Sequence, residues 1–421
     1  MLIELYGKNF GCFRDEFRLS MLATDIDPGS ERGMLEAQVQ GDDEPLRLLR
    51  AVAIYGPNAS GKSTVIRAAR ALADVLGTSR NYASDEPIRY YEPFALVSKP
   101  KDAVGLGIKA VIDGYVYDYY IEFTSSAFLR EKLMRLGPES NDLLIDRRGQ
   151  NVKGTWTKHA QFGLLLLSFR ENALLLSLAD SLAPELAKQI AVTIRGLLSL
   201  RGSSFQSTPN ARTHEVARRA KEDDAFQSWL LDHLNSADVG VIGLEVKEVP
   251  TVQGRLVLRR GKIVASPAQD LRLRLTHSGE DGPKSIPYNR ESFGTRRLIE
   301  LSPMLFDIAH ASISIAAFVD EIDASMHPVL LQAVIGQFNR MPAHKAHGQL
   351  VFTVHETSLL DAEAKNAVLR RDQIYFTEKD TNGASRLYSL AEFRERNNLN
   401  IRRRYLQGRY GALPAVGSFA E

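Results

Sequence analysis

Residues 56–64 carry the clearest chemical pattern in this chain. They match the phosphate-binding pattern G-x-x-x-x-G-K-[ST] without a gap or a substitution. The two glycines let successive backbone N–H groups approach an anion, and the lysine adds a full positive charge. The pattern predicts a nucleotide site whose members are Gly56, Pro57, Asn58, Ala59, Ser60, Gly61, Lys62, Ser63 and Thr64.

The residues on either side of this pattern have the order that it requires. Residues 48–55 are a short apolar run of strand length, and residues 65–73 have helical composition. The alternative is a chance glycine-rich turn before a helix. Because strand, loop and helix follow one another correctly, we favour the nucleotide site, with Ser63 as a ligand of Mg²⁺.

A second group of polar residues follows an apolar strand at 314–319. Asp320 and Glu321 stand at the carboxyl end of this strand. There Asp320 is expected to reach a metal ion beside Ser63, and Glu321 is expected to polarise an attacking water molecule. The alternative is that both carboxylates only cap the following helix, predicted over 324–338. The complete phosphate loop upstream favours the catalytic interpretation.

A single histidine ends the next apolar strand, at 350–356. His355 follows the carboxylate strand by the length of one crossover helix, predicted over 329–340. Such a connection places the two strands side by side and parallel, so His355 is expected at the same sheet edge, in contact with a terminal phosphate. The alternative is an ordinary buried or edge histidine.

Two further pieces predict anion contacts. Ser292, Gly294 and Thr295 open an amphipathic helix within residues 291–301, and their amides form a candidate second anion site. An ordinary capped helix start explains the same residues. Arg14 stands at a turn-to-strand position from which a cation meets a base or a phosphate, and a solvated strand charge is the alternative.

Composition limits the class of protein. The chain has 421 residues, 44% of them hydrophobic and 25% charged, and its net charge is only +2. These values predict a globular protein without a generally basic surface for nucleic acid, so any such surface must be regional. The single cysteine, Cys12, excludes a disulfide framework within one chain. We expect a cytoplasmic protein without a signal peptide, a membrane span or a membrane partner.

In this order the four pieces resemble the ATP-binding cassette class of P-loop ATPases. Residues 56–64 match its Walker A motif, 291–301 its signature helix, 318–321 its Walker B motif, and His355 its switch histidine. Residues 323–328 resemble the D-loop. Within the class the chain is similar to the RloA, AbiL and OLD-type ATPases of bacterial phage defence, although we identify no Q-loop glutamine and no nuclease domain.

The resemblance implies an α/β fold, namely an ABC-type head like those of RecF and SMC proteins. It has a mixed sheet, an antiparallel β subdomain and a helical insertion. The expected divisions are an N-terminal ATPase lobe at 1–124, a mainly helical insertion at 125–238, a C-terminal ATPase lobe at 239–375 and a tail at 376–421. Within the first lobe we expect an antiparallel pair at 2–19, a surface loop at 24–45 and a hairpin at 105–123 that turns at Asp113-Gly114. Strands are expected again at 239–249, at 254–264 and from 272.

The resemblance also implies a mechanism. ATP and Mg²⁺ would lie between two copies in a homodimer or a higher even oligomer, each site combining Lys62 of one chain with Ser292 and Gly294 of the other. Glu321 would be the catalytic base. A separate nuclease-like effector, controlled by this ATPase during phage infection, is the implied partner.

Three alternatives stay open at this point. One is an ATPase of DNA repair or chromosome maintenance that binds DNA directly. The others are a nucleotide-gated scaffold, against which Lys62, Asp320 and Glu321 argue, and the nucleotide-binding subunit of a transporter. A basic tail is a candidate surface for a partner or nucleic acid, with a solvated helix face as the simpler explanation; it contains Arg394, Arg396, Arg402, Arg403, Arg404 and Arg409.

Overall fold

The structure is a computed structural model of the chain. It describes residues 1–26, 32–98, 103–167, 169–182, 185–198, 209–237, 240–250, 255–259, 262–266, 269–341, 347–360, 367–393 and 400–414. The chain forms two compact units: the first comprises Met1–Leu200, Ile308–Ile322 and Gln332–Glu421, and the second comprises Arg201–Asp307 and Asp323–Leu331.

The described residues contain both strands and helices throughout the chain. The strands are β1 (Leu2–Lys8), β2 (Phe17–Ser20), β3 (Met34–Ala37), β4 (Leu46–Leu49), β5 (Ala51–Tyr55), β6 (Val104–Ile112), β7 (Tyr115–Phe123), β8 (Phe128–Leu136), β9 (Asp142–Arg148), β10 (Asn151–Lys153), β11 (Val241–Pro250), β12 (Arg255–Arg259), β13 (Lys262–Ser266), β14 (Gln269–His277), β15 (Lys284–Pro287), β16 (Ile315–Val319), β17 (Gly348–Thr353), β18 (Ile374–Lys379) and β19 (Ser385–Ser389). The helices are α1 (Lys62–Thr78), α2 (Ala160–Leu165), α3 (Leu175–Leu182), α4 (Glu185–Leu197), α5 (Pro209–Glu222), α6 (Asp224–Ser236), α7 (Phe293–His310), α8 (Pro328–Arg340) and α9 (Ile401–Leu406).

An antiparallel sheet belongs to the first unit. Its strand order in the described part of the chain is β10-β9-β8-β7-β6-β1-β2, and every neighbouring pair is antiparallel. The hairpin β6–β7 turns at Asp113 and Gly114, whose φ angles are 48° and 78°. Positive φ at both positions is what a two-residue Asp-Gly turn uses. The predicted N-terminal pair and this hairpin are confirmed.

A mixed sheet, also in the first unit, positions the candidate functional residues. Its order is β16-β17-β5-β18-β19, in which only the β18–β19 pair is antiparallel. All five residues of β5 are buried, which is typical of a parallel strand covered on both faces. Parallel strands end at the same sheet edge, so β16, β17 and β5 deliver the predicted carboxylates, histidine and phosphate loop to one edge.

Helix α1 ties the two sheets of the first unit into one core. It contacts β6 of the antiparallel sheet and β16 and β17 of the mixed sheet, as well as helices α3 and α4. Eleven of its 17 residues are buried, so folding removes apolar side chains around most of the helix from contact with water. Packing therefore fixes the start of α1, and with it the position of Lys62.

A buried ion pair fastens helix α3 to the antiparallel sheet. Glu131 and Arg147 are both fully buried, and their charged groups are 3.9 Å apart. The Glu131 carboxylate accepts hydrogen bonds from two backbone N–H groups at the start of α3, at 2.7 and 2.8 Å, and from the Tyr119 hydroxyl. Arg147 donates to the Ala173 carbonyl at 2.6 Å. Burial raises the pKa of Glu131 and lowers the pKa of Arg147.

The second unit has its own small sheets and helices. Strands β11, β14 and β15 form an antiparallel sheet, and β12 pairs with β13. Helix α5 contacts β14, and α6 contacts β11. The strands predicted at 239–249 and from 272 are confirmed over the described residues as β11 and β14, although β14 begins at Gln269. The single strand predicted at 254–264 is wrong, because β12 and β13 pair with each other as two antiparallel strands. Residues 239 and 254, where two strands were expected to begin, lie outside the description.

Residues 128–153 differ from the prediction of a mainly helical insertion from 125. They form strands β8, β9 and β10 of the antiparallel sheet, and the described helices of this region begin only at α2. The sequence of β8 is rich in Leu, Arg, Glu and Lys, which favour helices in isolation. Pairing with β7 and cross-strand ion pairs such as Arg130–Asp146 override that local preference.

The predicted tail boundary at 375/376 is wrong, because it cuts strand β18. That strand pairs with β5, and α9 then packs through the ring of Tyr405, whose centroid lies 5.9 Å from that of Tyr55 and 5.4 Å from that of Phe376. Of the basic tail, Arg394 and Arg396 lie outside the described residues.

The predicted surface loop at 24–45 is also only partly a loop. Strand β3 lies within it and pairs with β4, and three of its four residues are buried. Residues 27–31 lie outside the described part of the chain.

Candidate functional site

The phosphate loop lies between β5 and α1, as predicted. Two of its glycines have backbone angles that other residues rarely adopt: φ is 152° at Gly56 and 111° at Gly61. A side chain on Gly56 would place its Cβ 2.4 Å from the Thr377 hydroxyl oxygen and 2.5 Å from the Thr377 carbonyl oxygen. On Gly61 it would lie 2.8 Å from the sulfur of Cys12. Glycine is therefore required at both positions by conformation and by space.

Hydrogen bonds within and beside the loop hold it in shape. The ammonium group of Lys62 donates to the carbonyls of Gly56 (2.7 Å) and Pro57 (2.9 Å), and the side chain is almost buried. The Ser60 hydroxyl donates to the same Pro57 carbonyl at 2.8 Å and lies 2.6 Å from the Thr377 hydroxyl. Strand β18 thus braces a loop that is formed far earlier in the chain.

One cavity of about 430 Å³ collects half of the predicted site residues, without the predicted metal ligand Asp320. Its lining consists of Gly11, Cys12, Asn58, Ala59, Gly61, Lys62, Ser63, Thr64, Arg67, Glu321 and His355, all from the first unit. The structure therefore brings together the phosphate loop, the predicted base and the predicted switch histidine. The remaining loop residues, Gly56, Pro57 and Ser60, provide the bracing described above.

The two carboxylates stand at the end of β16, where the predicted strand ends. Asp320 is half-buried, whereas Glu321 is exposed and has a φ of 48°. A positive φ is uncommon for a residue with a side chain and costs conformational energy. The Thr353 hydroxyl donates to the Asp320 carboxylate at 2.5 Å and accepts the backbone N–H of Glu321 at 2.7 Å.

His355 follows the end of β17 by two residues. Strand β17 is parallel to both β16 and β5, so the predicted placement of the histidine at the shared sheet edge is confirmed. The imidazole is exposed and lines the cavity. The next residue is tied to the phosphate-loop strand, because the Tyr55 hydroxyl donates to the Glu356 carbonyl at 3.2 Å.

The donor atoms near this edge fit Mg²⁺. Ser63 lines the cavity, and Asp320, which is not part of the lining, directly follows β16 and precedes Glu321 of the lining. Both are hard oxygen donors, and Mg²⁺ that is bound with phosphates needs only one or two such protein ligands. Within the described residues no group of three or more His, Cys, Asp or Glu side chains is arranged to hold a metal by itself.

Three lining residues were not predicted from the sequence. Gly11 and Cys12 belong to a turn between β1 and β2, and Arg67 belongs to the second turn of α1. The thiol of Cys12 donates to the Thr64 hydroxyl at 3.3 Å. Arg67 forms an ion pair of 3.0 Å with Glu92, whose carbonyl accepts the Gly11 N–H. No local sequence pattern predicts these contacts, because they join residues that are between 25 and 81 positions apart.

Arg14 does not line the cavity that the structure describes. Its guanidinium bonds the carboxylate of its neighbour Asp15 at 2.9 and 3.1 Å and lies 3.9 Å from Asp380. The hydrogen bonds to Asp15 raise the pKa of Arg14. This pairing favours the alternative of a solvated charge, although Arg14 lies in the bend before β2 and not in a strand, and its contact with a nucleotide stays a prediction.

The signature residues belong to the second unit. Ser292 caps α7: its hydroxyl oxygen accepts the Thr295 N–H at 3.1 Å and lies 2.8 Å from the Thr295 hydroxyl. A side chain on Gly294 would place its Cβ 2.8 Å from the Ser325 carbonyl oxygen. The predicted turn that opens a helix is confirmed, and its presentation to a triphosphate by a second copy stays a prediction.

Among the described residues, no helix has the length and apolar character needed to cross a bilayer.

No curated protein matches the sequence. The chain is similar to solved structures that include the following two. The crystal structure of the SmcHead bound to the C-winged helix domain of ScpA is 13% identical, with a TM-score of 0.48, covering 93% of this chain and 99% of that chain. The SMC head domain from Thermotoga maritima is 12% identical, with a TM-score of 0.41, covering 92% and 98%.

A family model agrees with the geometry of the site. The model described as "AAA domain, putative AbiEii toxin, Type IV TA system" matches residues 51–361, which is well over half of the chain. The matched segment begins at β5, directly before the phosphate loop, and includes both carboxylates and His355. This chain, with its phosphate loop and its α/β fold of a mixed and an antiparallel sheet, belongs to that AAA-domain family.

Proposed function

We propose that this chain binds ATP and hydrolyses it to ADP and phosphate. The observation that carries the proposal is the single cavity lined by Lys62, Ser63, Thr64, Glu321 and His355. Binding a polyanion alone requires no carboxylate beside it, because like charges repel. A glutamate next to a phosphate loop is instead what the attack of water on a phosphoryl group requires.

Each residue has a distinct role in this reaction. Backbone N–H groups of the loop and the start of α1 bind the phosphates, and Lys62 offsets their charge. Glu321 orients a water molecule and takes its proton as the oxygen attacks the γ-phosphorus and the bond to ADP breaks. His355 donates a hydrogen bond to the terminal phosphate. Ser63 and Asp320 would hold Mg²⁺, which when bound offsets the charge on the phosphate oxygens.

We further propose a homodimer, or a higher even oligomer, that closes around ATP. Ser292, Gly294 and Thr295 stand at the N-terminal end of an 18-residue helix, where backbone N–H groups and the helix dipole favour an anion. Supplied by a second copy, these residues would complete the triphosphate site, and hydrolysis would loosen the dimer. The four-part division of the chain into two lobes, an insertion and a tail remains part of this proposal, with the corrections given above.

The biological role that we propose is the switch subunit of a bacterial antiphage system, in the cytoplasm, as in the RloA, AbiL and OLD-type ATPases. It would control a separate nuclease-like effector during abortive infection. The family description supports a role in a system of two partner proteins, because it names a toxin of a toxin–antitoxin system.

The test compares the wild type with Glu321→Gln. Glutamine keeps the size of the side chain and removes the proton acceptor, so we expect ATP turnover to fall by about 10²–10⁴-fold while ATP binding persists. The variant should then accumulate as a dimer when ATP is added, but not when ADP is added, and light scattering measures the molar mass in each case. Unchanged turnover in the variant would contradict the role of Glu321.

A second measurement separates this role from DNA repair or chromosome maintenance. If ATP hydrolysis is stimulated by duplex DNA and the stimulation falls steeply with salt, the chain binds nucleic acid directly. If DNA does not change the rate of ATP hydrolysis, and a nuclease encoded by a neighbouring gene co-purifies with this chain, the defence role is supported.

A further inference from the structure

A single buried hydroxyl joins the two carboxylate residues of the proposed ATP site. Thr353 is the last residue of β17 and is completely buried. The register of the parallel pair sets Val319 against Phe352, so Thr353 is the next partner along and lies beside Asp320. It interrupts an otherwise apolar run, Leu350-Val351-Phe352, at the point where the sheet edge begins.

The direction of each hydrogen bond at this hydroxyl follows by elimination. The backbone N–H of Glu321 can only donate, so the Thr353 oxygen accepts there, at 2.7 Å. The hydroxyl proton is then directed at Asp320, whose ionised carboxylate can only accept, at 2.5 Å. Thr353 also accepts the N–H of Ile322 on its carbonyl, at 3.1 Å. One residue thus holds three consecutive residues of the carboxylate strand end.

This arrangement has consequences for both carboxylates. The short bond to a charged acceptor restricts the Asp320 carboxylate to one orientation. The bond to the Glu321 N–H supports a backbone with a φ of 48°, a conformation that persists only where the surroundings impose it. Valine has nearly the same shape as threonine but lacks the hydroxyl, so it would make neither of these two bonds.

We propose that Thr353 is a positioning residue for the nucleotide-bound metal and for the catalytic base. It orients Asp320 as a metal ligand and fixes the backbone that presents Glu321 to the cavity. The inference rests on the proposed ATP site and adds to it a residue that touches neither substrate nor metal.

The test measures metal binding directly and does not depend on turnover. Mn²⁺ is titrated into the full-length protein with the non-hydrolysable analogue AMPPNP, and free Mn²⁺ is followed by electron paramagnetic resonance. A parallel titration of AMPPNP without protein gives the Mn²⁺ that the analogue binds by itself, which is subtracted. Loss of an outer hydrogen bond to a metal ligand typically costs 10–100-fold in metal affinity. We therefore expect Thr353→Val to weaken Mn²⁺ binding by about 10–100-fold, and Thr353→Ser, which keeps the hydroxyl, to restore it to within about threefold.

Thr78→Val is the matched control. The Thr78 hydroxyl donates to the Asp74 carbonyl at the far end of α1, away from the cavity lining. The same chemical change there should leave Mn²⁺ affinity as in the wild type, and circular dichroism checks that each variant is folded. Comparable losses in Thr353→Val, Thr353→Ser and Thr78→Val would overturn the proposal, as would wild-type affinity in a folded Thr353→Val.

The remaining outcomes separate this inference from the proposed function. If the wild type binds Mn²⁺ with AMPPNP in a Thr353-dependent way but does not hydrolyse ATP, the positioning role stands and hydrolysis is wrong. If the wild type binds no Mn²⁺ in the presence of the nucleotide analogue, both the site and the role of Thr353 are wrong.

Discussion

Two glutamates of the first unit show how differently one residue type can be used. Glu131 is fully buried and bonded to two backbone N–H groups, a tyrosine hydroxyl and the nearby charge of Arg147. Glu321 is exposed at a sheet edge, lines a cavity and has a positive φ. The first charge is satisfied by its surroundings, while the second is held in an uncommon backbone conformation and faces solvent.

Burial and contacts alone therefore distinguish a glutamate that stabilises the fold from one that can take part in a reaction, without a sequence motif. A buried carboxylate surrounded by donors stabilises the segments that provide those donors, here the sheet and the start of α3. A carboxylate that is to accept a proton from water must be reachable by water. Strain at Glu321 is consistent with this second use, because functional residues often occupy costly conformations that the rest of the fold supports.

The largest expected effect is on the buried glutamate. Glu131→Ala removes one partner of a buried ion pair and leaves two backbone N–H groups and the Tyr119 hydroxyl without their acceptor. We expect the free energy of unfolding, measured with urea, to fall by about 3–5 kcal/mol. The control is Glu44→Ala at an exposed position, which should change the free energy of unfolding by less than about 0.5 kcal/mol. Equal urea midpoints for the two variants would show that the buried pair contributes little.

A smaller effect of opposite sign is expected at the exposed glutamate. Glu321→Gly relieves the cost of a left-handed backbone, about 1–2 kcal/mol, against the greater flexibility that glycine adds to the unfolded chain. We therefore expect the variant to be more stable than the wild type by up to about 1 kcal/mol while ATP turnover is lost.

Asp113→Gly is the matched control for that variant. Asp113 has the same φ, 48°, at an exposed hairpin turn away from the cavity lining. This substitution should give a smaller gain in the urea midpoint with turnover retained, because aspartate tolerates this conformation and its carboxylate accepts a hydrogen bond from Gln189. A decrease in stability for Glu321→Gly would mean that the carboxylate itself contributes to the fold.

The smallest effect is expected at Arg14. Its guanidinium is exposed and paired with Asp15, and exposed ion pairs contribute little. Arg14→Ala should change the affinity for a fluorescent ATP analogue by less than about twofold. Lys62→Ala, tested in parallel, should abolish binding at micromolar nucleotide. A tenfold loss of affinity for the analogue in the Arg14 variant would instead support the predicted contact between Arg14 and the nucleotide.

Local patterns predicted the elements that carry the chemistry. Strand β5, the phosphate loop and α1 follow from nine residues and their neighbours, and β16, β17 and α8 follow from apolar runs of the right length. Strand β8 was missed, because its Leu, Arg, Glu and Lys favour a helix until β7 offers a pairing partner. Such a preference is decided by tertiary contacts that a single segment does not encode.

The candidate site was predictable to a similar extent. Lys62 and Glu321 are recognised because a motif fixes their neighbours. Cys12 and Arg67 reach the cavity through contacts between distant segments, so no spacing along the chain reveals them. Thr353 did leave a signal, a hydroxyl at the end of an apolar strand, whose meaning depends on the register between β16 and β17.

The bond between Ser60 and Thr377 spans 317 positions of the chain. During synthesis the loop at residue 60 emerges long before its brace, because β18 is among the last strands to be made. A nascent chain thus carries the complete phosphate-binding sequence without the support that shapes it. We therefore expect a chain that is still too short to include β18 to bind nucleotide more weakly than the full chain does.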